Sequence, residues 1–130
     1  PAGEKAHIET TTRGVPFDIP ALGFMAHMHV RGTAFTYELI HKNGDSEILL
    51  DIPRYDFNWQ LRYELKEPKI LPKGSSVKVT GVFDNSENNK ANPDPKKTVK
   101  WGDQTVDEML IGYVEYFVPI EEGDKIATVE

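Results

Sequence analysis

Two of the chain's four histidines lie one residue apart, in the stretch FMAHMHVRG at residues 24–32. In a β-strand, alternate side chains share a face, so His27 and His29 would project together, about 7 Å apart along a strand that rises about 3.3 Å per residue. Neutral imidazole is a ligand for Cu, Zn, Ni or Fe, and two such rings supply half of a metal site. Two solvated side chains on an exposed strand would give the same pattern, so both interpretations stay open.

A metal at this pair needs further donors, and the sequence offers few. There is no cysteine, which excludes thiolate zinc, blue-copper and iron-sulfur sites, and only His7 and His41 remain as histidines. Met109 is a candidate because it follows the turn-forming, acidic segment WGDQTVDE and begins a β-rich run. A thioether is a soft ligand that favours Cu(I), so His27, His29 and Met109 together would favour copper over zinc or iron. Ordinary core packing is the alternative role for Met109.

The elements that must position these residues are predicted to be β-strands. Gly (10) and Pro (9) recur, and no segment keeps the i, i+3, i+4, i+7 apolar spacing of an amphipathic helix for long. The patterns predict strands at 6–12, 22–31, 33–41, 47–50, 57–65, 76–84, 98–101, 109–118 and 125–129. This number and spacing of strands predicts an all-β, jelly-roll-like antiparallel β-sandwich that forms a single domain over residues 1–130.

Alternation in the 22–31 strand predicts which face is buried. One face carries only apolar side chains, which are Leu22, Phe24, Ala26, Met28 and Val30. The opposite face carries Met25, both histidines and Arg31, so Met28 is predicted to be a core residue rather than a ligand. In the 57–65 strand, Phe57 and Trp59 share a face. They could line a pocket or a carbohydrate surface, but core packing is the more economical interpretation.

Two loops have clear signatures. Asn43-Gly44, between two β-rich runs, predicts a hairpin with a type I′ turn. Residues 84–97 are polar and Pro-rich and predict a long surface loop. The side-chain oxygens of this loop could hold calcium, but Asx turns closed by their own hydrogen bonds are the favoured interpretation. Asp107 and Glu108, which precede Met109, could orient a metal ligand through hydrogen bonds.

Composition limits the partners. With 21 acidic and 15 basic residues the net charge is −6, and the scattered Lys and Arg residues give no footprint for nucleic acid. No apolar run approaches the roughly 18 residues of a membrane span, and no signal segment opens the chain. Because the chain begins at Pro1 rather than Met, we expect a mature form or a domain excised from a longer protein.

Four segments, in this order, resemble a known family. They are HMHVRG (27–32), IPRYDFNWQ (52–60), FDNSENNKANPDP (83–95) and WGDQTVDEM (101–109), and together they extend over most of the chain. They resemble the C-terminal domain of the copper type II, ascorbate-dependent monooxygenases, the group that contains peptidylglycine α-hydroxylating monooxygenase and dopamine β-monooxygenase. The likeness is closest to bacterial members. The combination of the histidine pair with an Asp-Glu-Met segment 80 residues later (109 − 29) is its most specific part.

This resemblance implies a metal centre and a reaction. Two histidines and one methionine, here His27, His29 and Met109, would hold a single copper ion at which dioxygen binds and a C–H bond of a small organic substrate is hydroxylated. The family's tyrosine four positions after the methionine faces the substrate and corresponds to Tyr113, for which packing within the sheet is the alternative role. Peptide-amidating members have an arginine where this chain has Met25. Because Met25 cannot donate to a carboxylate, peptidylglycine is not the expected substrate, and Met25 would instead form a pocket wall or a competing thioether ligand.

The resemblance also implies an electron supply and a location. Family enzymes carry a second copper on three histidines of a preceding domain, whereas this chain has only His7 and His41 besides the pair. We therefore expect the isolated domain to bind copper but to be inactive alone, with ascorbate or another donor acting through an electron-donating domain or protein. A periplasmic or extracellular location is expected from the same resemblance. The alternative is a non-catalytic β-sandwich that serves as a binding or structural module of a larger exported protein.

Overall fold

A computed structural model describes residues 1–118, which form a β-structure with one short 3-10 helix. The strands are β1 His7–Gly14, β2 Ile19–Met28, β3 Gly32–Ile40, β4 Ser46–Ile52, β5 Arg62–Leu71, β6 Ser76–Phe83 and β7 Leu110–Tyr116, with the 3-10 helix Phe57–Trp59 between β4 and β5. The predicted all-β class is confirmed. No helix in the described range has the length and apolar character needed to cross a membrane.

The strands form two antiparallel sheets that pack as a β-sandwich. The large sheet has the order β1-β6-β3-β4, and the small sheet has the order β5-β2-β7. The core between them is made of fully buried side chains, among them Phe24, Met28, Phe35, Tyr37 and Leu39. Met28 is 0% exposed, which confirms its predicted place in the core.

The small sheet lies directly against Tyr37 of the large sheet. The Tyr37 hydroxyl is 2.7 Å from the main-chain oxygen of Met25 and 3.0 Å from that of Tyr113. Gly112 permits this approach, because a Cβ there would lie 3.0 Å from Tyr37 Cε1 and 2.6 Å from Val79 Cγ1. The core thus fixes β2 relative to β7, the two strands next to the predicted metal ligands.

The strand that carries His27 differs from the predicted range 22–31 and does not include His29. It begins at Ile19, contains a bulge between Ala21 and Gly23, and ends at Met28. A tight turn follows, closed by a hydrogen bond from the Gly32 N–H to the His29 carbonyl (3.0 Å). Strict alternation therefore holds at Phe24, Ala26 and Met28, whereas Leu22 and Val30 are only half-buried. Arg31, predicted on the histidine face, is instead 2% exposed and buried in the turn.

Two other strand predictions were wrong. The predicted 57–65 strand starts with the 3-10 helix, in which the Asp56 side chain accepts the Asn58 N–H (2.8 Å), and β5 begins only at Arg62. Because this helix turns Trp59 outward, that side chain is 72% exposed and is not part of the core. The predicted 98–101 strand is reduced to a single bridge between Trp101 and Glu108, too short for a ladder. The predicted 125–129 strand lies outside the described residues.

The β3–β4 hairpin is confirmed, but its turn type is not the predicted I′. Within this loop only Gly44 has a positive φ (90°), whereas a type I′ turn also requires a positive φ at Asn43. The Gly44 N–H donates to His41 O (3.0 Å), and the His41 N–H donates to Asp45 O (2.8 Å). This is a three-residue loop with glycine in the left-handed position of a bulge, the next most common solution for a short hairpin.

The loop of residues 84–97 is an ordered series of Asx turns. Its side-chain oxygens accept main-chain N–H groups two residues ahead, as in Asp84 with Ser86 (2.9 Å), Asn89 with Ala91 (3.0 Å) and Asp94 with Lys96 (3.0 Å). Oxygens used in this way favour the Asx-turn interpretation over calcium binding.

Candidate metal site

The two histidine rings converge at the end of β2. Their centroids are 5.2 Å apart and their planes are nearly perpendicular, at 88°. His27 is partly exposed on the outer face of the small sheet, and His29, the first residue after the strand, is 4% exposed. The turn that begins at His29 therefore keeps the two rings together, and the structure forms the pair that the sequence spacing predicted.

Gln60 fixes the tautomer of His27, that is, which ring nitrogen carries the proton. The Gln60 Oε1 atom is 2.6 Å from His27 Nδ1, while Gln60 Nε2 donates to the Phe57 carbonyl at 3.0 Å. A carbonyl only accepts hydrogen bonds, so the contact with Phe57 identifies Nε2 and turns the amide oxygen toward His27. An amide oxygen also only accepts, so His27 carries its proton on Nδ1. In the neutral ring, Nε2 then has a free lone pair.

His29 is held in the same tautomer by a different segment. Its Nδ1 is 3.2 Å from the main-chain oxygen of Asp107, in the loop that precedes β7. Phe57 packs edge-to-face against the same ring, with centroids 6.3 Å apart. Within residues 1–118, neither ring has a hydrogen-bond partner at Nε2. Both rings are thus arranged as metal-binding histidines are, with one nitrogen donating to an oxygen and the other nitrogen available.

Strand β7 brings the other predicted residues to the same edge of the small sheet. Its register pairs Leu110 with Met28, Ile111 with His27, and Tyr113 with Met25. Directly paired residues share a face, so Tyr113 and Met25 are neighbours on the His27 face. Tyr113 is 47% exposed and is therefore a surface residue of the outer face rather than a core residue.

Met109 lies immediately before β7. Because Leu110 pairs with Met28, continuing this register by one residue would place Met109 opposite His29, the first residue after β2. Its side chain is partly buried and borders a cavity of about 680 Å³ that Trp101 and His7 also line. His27 and His29 are not among the residues that line this cavity.

The other two histidines form hydrogen bonds with glutamate side chains away from the pair. His7 lies between Glu4 (3.2 Å) and Glu9 (2.7 Å), and His41 contacts Glu47 (3.2 Å). Over the described part of the chain, no three side chains of the types His, Cys, Asp and Glu lie together as metal ligands. Among the described residues, a third side-chain ligand at the histidine pair would therefore be of another type. A thioether fits, and the resulting set of two neutral imidazoles and one sulfur suits copper.

The electrostatics beside Met109 are set by a buried carboxyl group. Burial raises the pKa of Glu108 to about 7, and the nearby Arg31 guanidinium partly opposes this rise. Within the described residues, Glu108 Oε2 has no hydrogen-bond partner. Asp107, predicted to orient a metal ligand, contacts His29 through its main-chain oxygen. Sequence reasoning missed Gln60, the last residue of the segment IPRYDFNWQ.

Comparison with known proteins gives one family. Residues 6–128 match the family model described as copper type II ascorbate-dependent monooxygenase, C-terminal domain. The match extends over nearly the whole chain and includes the histidine pair, Gln60 and Met109. A search of individually curated proteins found no match.

Proposed function

Since this chain belongs to the family of copper type II, ascorbate-dependent monooxygenase C-terminal domains, we propose that it binds one copper ion through His27, His29 and Met109. The observation that carries the proposal is the shared tautomer of the two rings, whose Nδ1 atoms face acceptors at 2.6 and 3.2 Å and whose Nε2 atoms are left for a metal. Bound copper would bind dioxygen and supply the oxidising chemistry for hydroxylating a C–H bond of a small organic substrate.

The protein's contribution is to hold the ligands before the metal arrives. Gln60 and the Asp107 carbonyl fix the rotation of the two rings, and the Phe57 ring limits movement of His29. A ring that is already oriented loses less conformational entropy when it binds a metal, and its ligating nitrogen becomes more basic. These contacts support a preformed site for two ligands, to which Met109, immediately before β7, would add the third.

The residues around the pair indicate the kind of substrate. Met25 and Tyr113 form a cross-strand pair on the same face as His27. Arg62, the partner of Met25 on β5, forms ion pairs with Glu115 and Glu64. The thioether of Met25 cannot bind a carboxylate, and Arg62 already has two carboxylate partners. This favours a substrate bound by apolar and aromatic contacts over a peptide with a terminal carboxylate.

Turnover requires an electron supply. Hydroxylation by dioxygen consumes two electrons from a donor, and a single copper ion cycles between Cu(II) and Cu(I) by one. We propose that ascorbate or another donor acts through an electron-donating domain or protein, and that the domain functions in the periplasm or outside the cell. Copper binding without hydroxylation, even with that partner supplied, would favour the non-catalytic binding or structural module instead.

A Cu(I) titration of the metal-free protein against a chromophoric chelator tests the site. We expect one Cu(I) per chain, and an affinity loss in His27→Ala or His29→Ala that exceeds the roughly 10- to 100-fold loss typical of residues that only orient a ligand. X-ray absorption should detect one sulfur neighbour, which Met109→Ala removes. His41→Ala is the matched control and should bind as the wild type does. Binding that survives His27→Ala, or a copper without sulfur, would refute the assignment.

A further inference from the structure

A buried arginine lies beside the histidine pair. Arg31 follows His29 by two residues in the turn after β2 and is 2% exposed. Moving a guanidinium out of water is costly unless its donors find acceptors, so a fully enclosed arginine depends on its partners.

The partners of Arg31 come from two separate loops. Its Nε atom donates to Asn92 Oδ1 (2.9 Å), and its Nη1 atom donates to the Val106 carbonyl (2.7 Å) and contacts Glu108 Oε1 (3.5 Å). Asn92 is itself fixed, because its Nδ2 donates to Asn85 Oδ1 (2.9 Å). One side chain therefore joins the turn after β2 to the Asx-turn loop and to the 101–109 loop.

In the 101–109 loop, Arg31 contacts the residues on both sides of Asp107, which orients His29. Val106 and Glu108 lie on either side of Asp107, whose main-chain oxygen faces His29 Nδ1, and Met109 comes next. We infer that Arg31 is a positioning residue, which holds the 106–109 main chain so that Asp107 orients His29 and Met109 lies level with it. For Met109 this inference rests on the proposed copper site. For His29 it concerns the metal-free protein alone.

Lysine should not replace Arg31. The planar guanidinium offers several donors in a fixed geometry, and here it meets acceptors on two loops, whereas an ammonium group is a single point charge on a flexible stem. Arg31→Lys keeps the positive charge beside Glu108 and removes the simultaneous contact with Asn92 and Val106. It therefore separates the role of geometry from the role of charge.

The first test needs no copper. The ring nitrogen chemical shifts of the two histidines, measured by NMR in the metal-free protein, report which nitrogen carries the proton. In Arg31→Lys we expect His29 to lose its uniform Nδ1–H form while His27, held by Gln60, keeps it. Leu39→Ala is the control for general destabilisation, because Leu39 is fully buried at the other end of β3, near the 41–45 hairpin. An unchanged His29 in folded Arg31→Lys would overturn the inference.

The second test asks whether Arg31 acts through Met109. We expect Cu(I) affinity to fall about 10- to 100-fold in Arg31→Lys, as for other groups that orient ligands, and the sulfur signal to weaken. In the Met109→Ala background the same substitution should cost less than it does in the wild type, because only its effect through His29 remains. Fully additive losses would overturn the inference for Met109.

The inference can still be tested if the wild type binds no copper through sulfur or if Arg31→Lys does not fold. If the wild type binds no Cu(I) through sulfur, the proposed function fails, and the His29 tautomer still decides what Arg31 does. If Arg31→Lys does not fold, Asn92→Ala removes the acceptor that fixes the guanidinium at Nε, so Arg31 holds Val106 and Glu108 less firmly. It should loosen His29 in the same direction, and an unaltered His29 tautomer there would overturn the inference.

Discussion

Gln60→Leu should weaken copper binding without disrupting the fold. The substitution keeps a side chain of similar size but removes the acceptor that lies 2.6 Å from His27 Nδ1. It also removes the donor to the Phe57 carbonyl, so both hydrogen bonds of the amide are lost. His27 can then adopt either tautomer and rotate about its side-chain bonds, although the rest of β2 is unchanged.

The size of the effect follows from the role of this contact. Loss of a group that orients a metal-binding histidine typically weakens metal affinity by 10- to 100-fold, or about 1.4 to 2.8 kcal/mol. The short contact and the partial burial of His27 place this case toward the upper end. The effect on folding should be no larger, about 1 to 2 kcal/mol for the two partly exposed side-chain hydrogen bonds that are lost.

Cu(I) competition titration and chemical denaturation measure the two quantities on the same samples. Asn58→Ala is the matched control, because Asn58 lies two residues away in the adjacent 3-10 helix and its side chain hydrogen-bonds only to Asp56 among the described residues. Gln60→Glu keeps an acceptor for Nδ1 and should retain most of the affinity. If folded Gln60→Leu binds Cu(I) as tightly as Asn58→Ala does, the argument from a fixed tautomer is wrong.

Three further substitutions test the scaffold by chemical denaturation. Met28→Ala leaves a cavity at a fully buried position and should cost about 2 to 5 kcal/mol, so a loss below 1 kcal/mol would contradict its place in the core. Gly44→Ala forces a Cβ onto a residue with φ of 90° and should cost about 1 kcal/mol although the surrounding space is open; a neutral result would mean that the hairpin adopts another turn. Tyr37→Phe removes the hydroxyl that bonds to the β2 and β7 main chains and should cost about 1 to 3 kcal/mol, and a stability equal to the wild type would show that this link between the sheets is dispensable.

The sequence predicted the strands best where one face is buried. Apolar alternation at Phe24, Ala26 and Met28 identified the core face of β2 and hence the opposite face that carries His27. The end of β2 was not predictable, because Val30 continues the pattern past the true boundary. The strand stops at Met28, where the Tyr55 hydroxyl is 2.9 Å from its nitrogen and 2.6 Å from its oxygen. That hydroxyl comes from a residue 27 positions away, so no local signal marks the boundary.

The contacts that complete the candidate site are also remote in sequence. Gln60 is 33 residues from His27, and Asn92 is 61 residues from Arg31. Neither partner belongs to a local pattern, and Arg31 in isolation resembles any charged residue after a strand. A spacing of two residues was enough to predict that the two histidine rings lie together, although His29 falls in the turn after β2 rather than in the strand. Which nitrogen of each ring is free is decided only by the tertiary fold.

The two rings obtain the same tautomer from independent parts of the chain. His27 depends on Gln60, which lies between the 3-10 helix and β5, whereas His29 depends on the 101–109 loop, which Arg31 links to the turn after β2. A metal that requires both Nε2 atoms therefore binds well only when both segments are in place, and binding must stabilise both by linkage. Copper should therefore slow amide hydrogen exchange in both residues 57–60 and residues 106–109, although these segments are far apart in sequence. Protection confined to one of them would mean that only one histidine is a ligand.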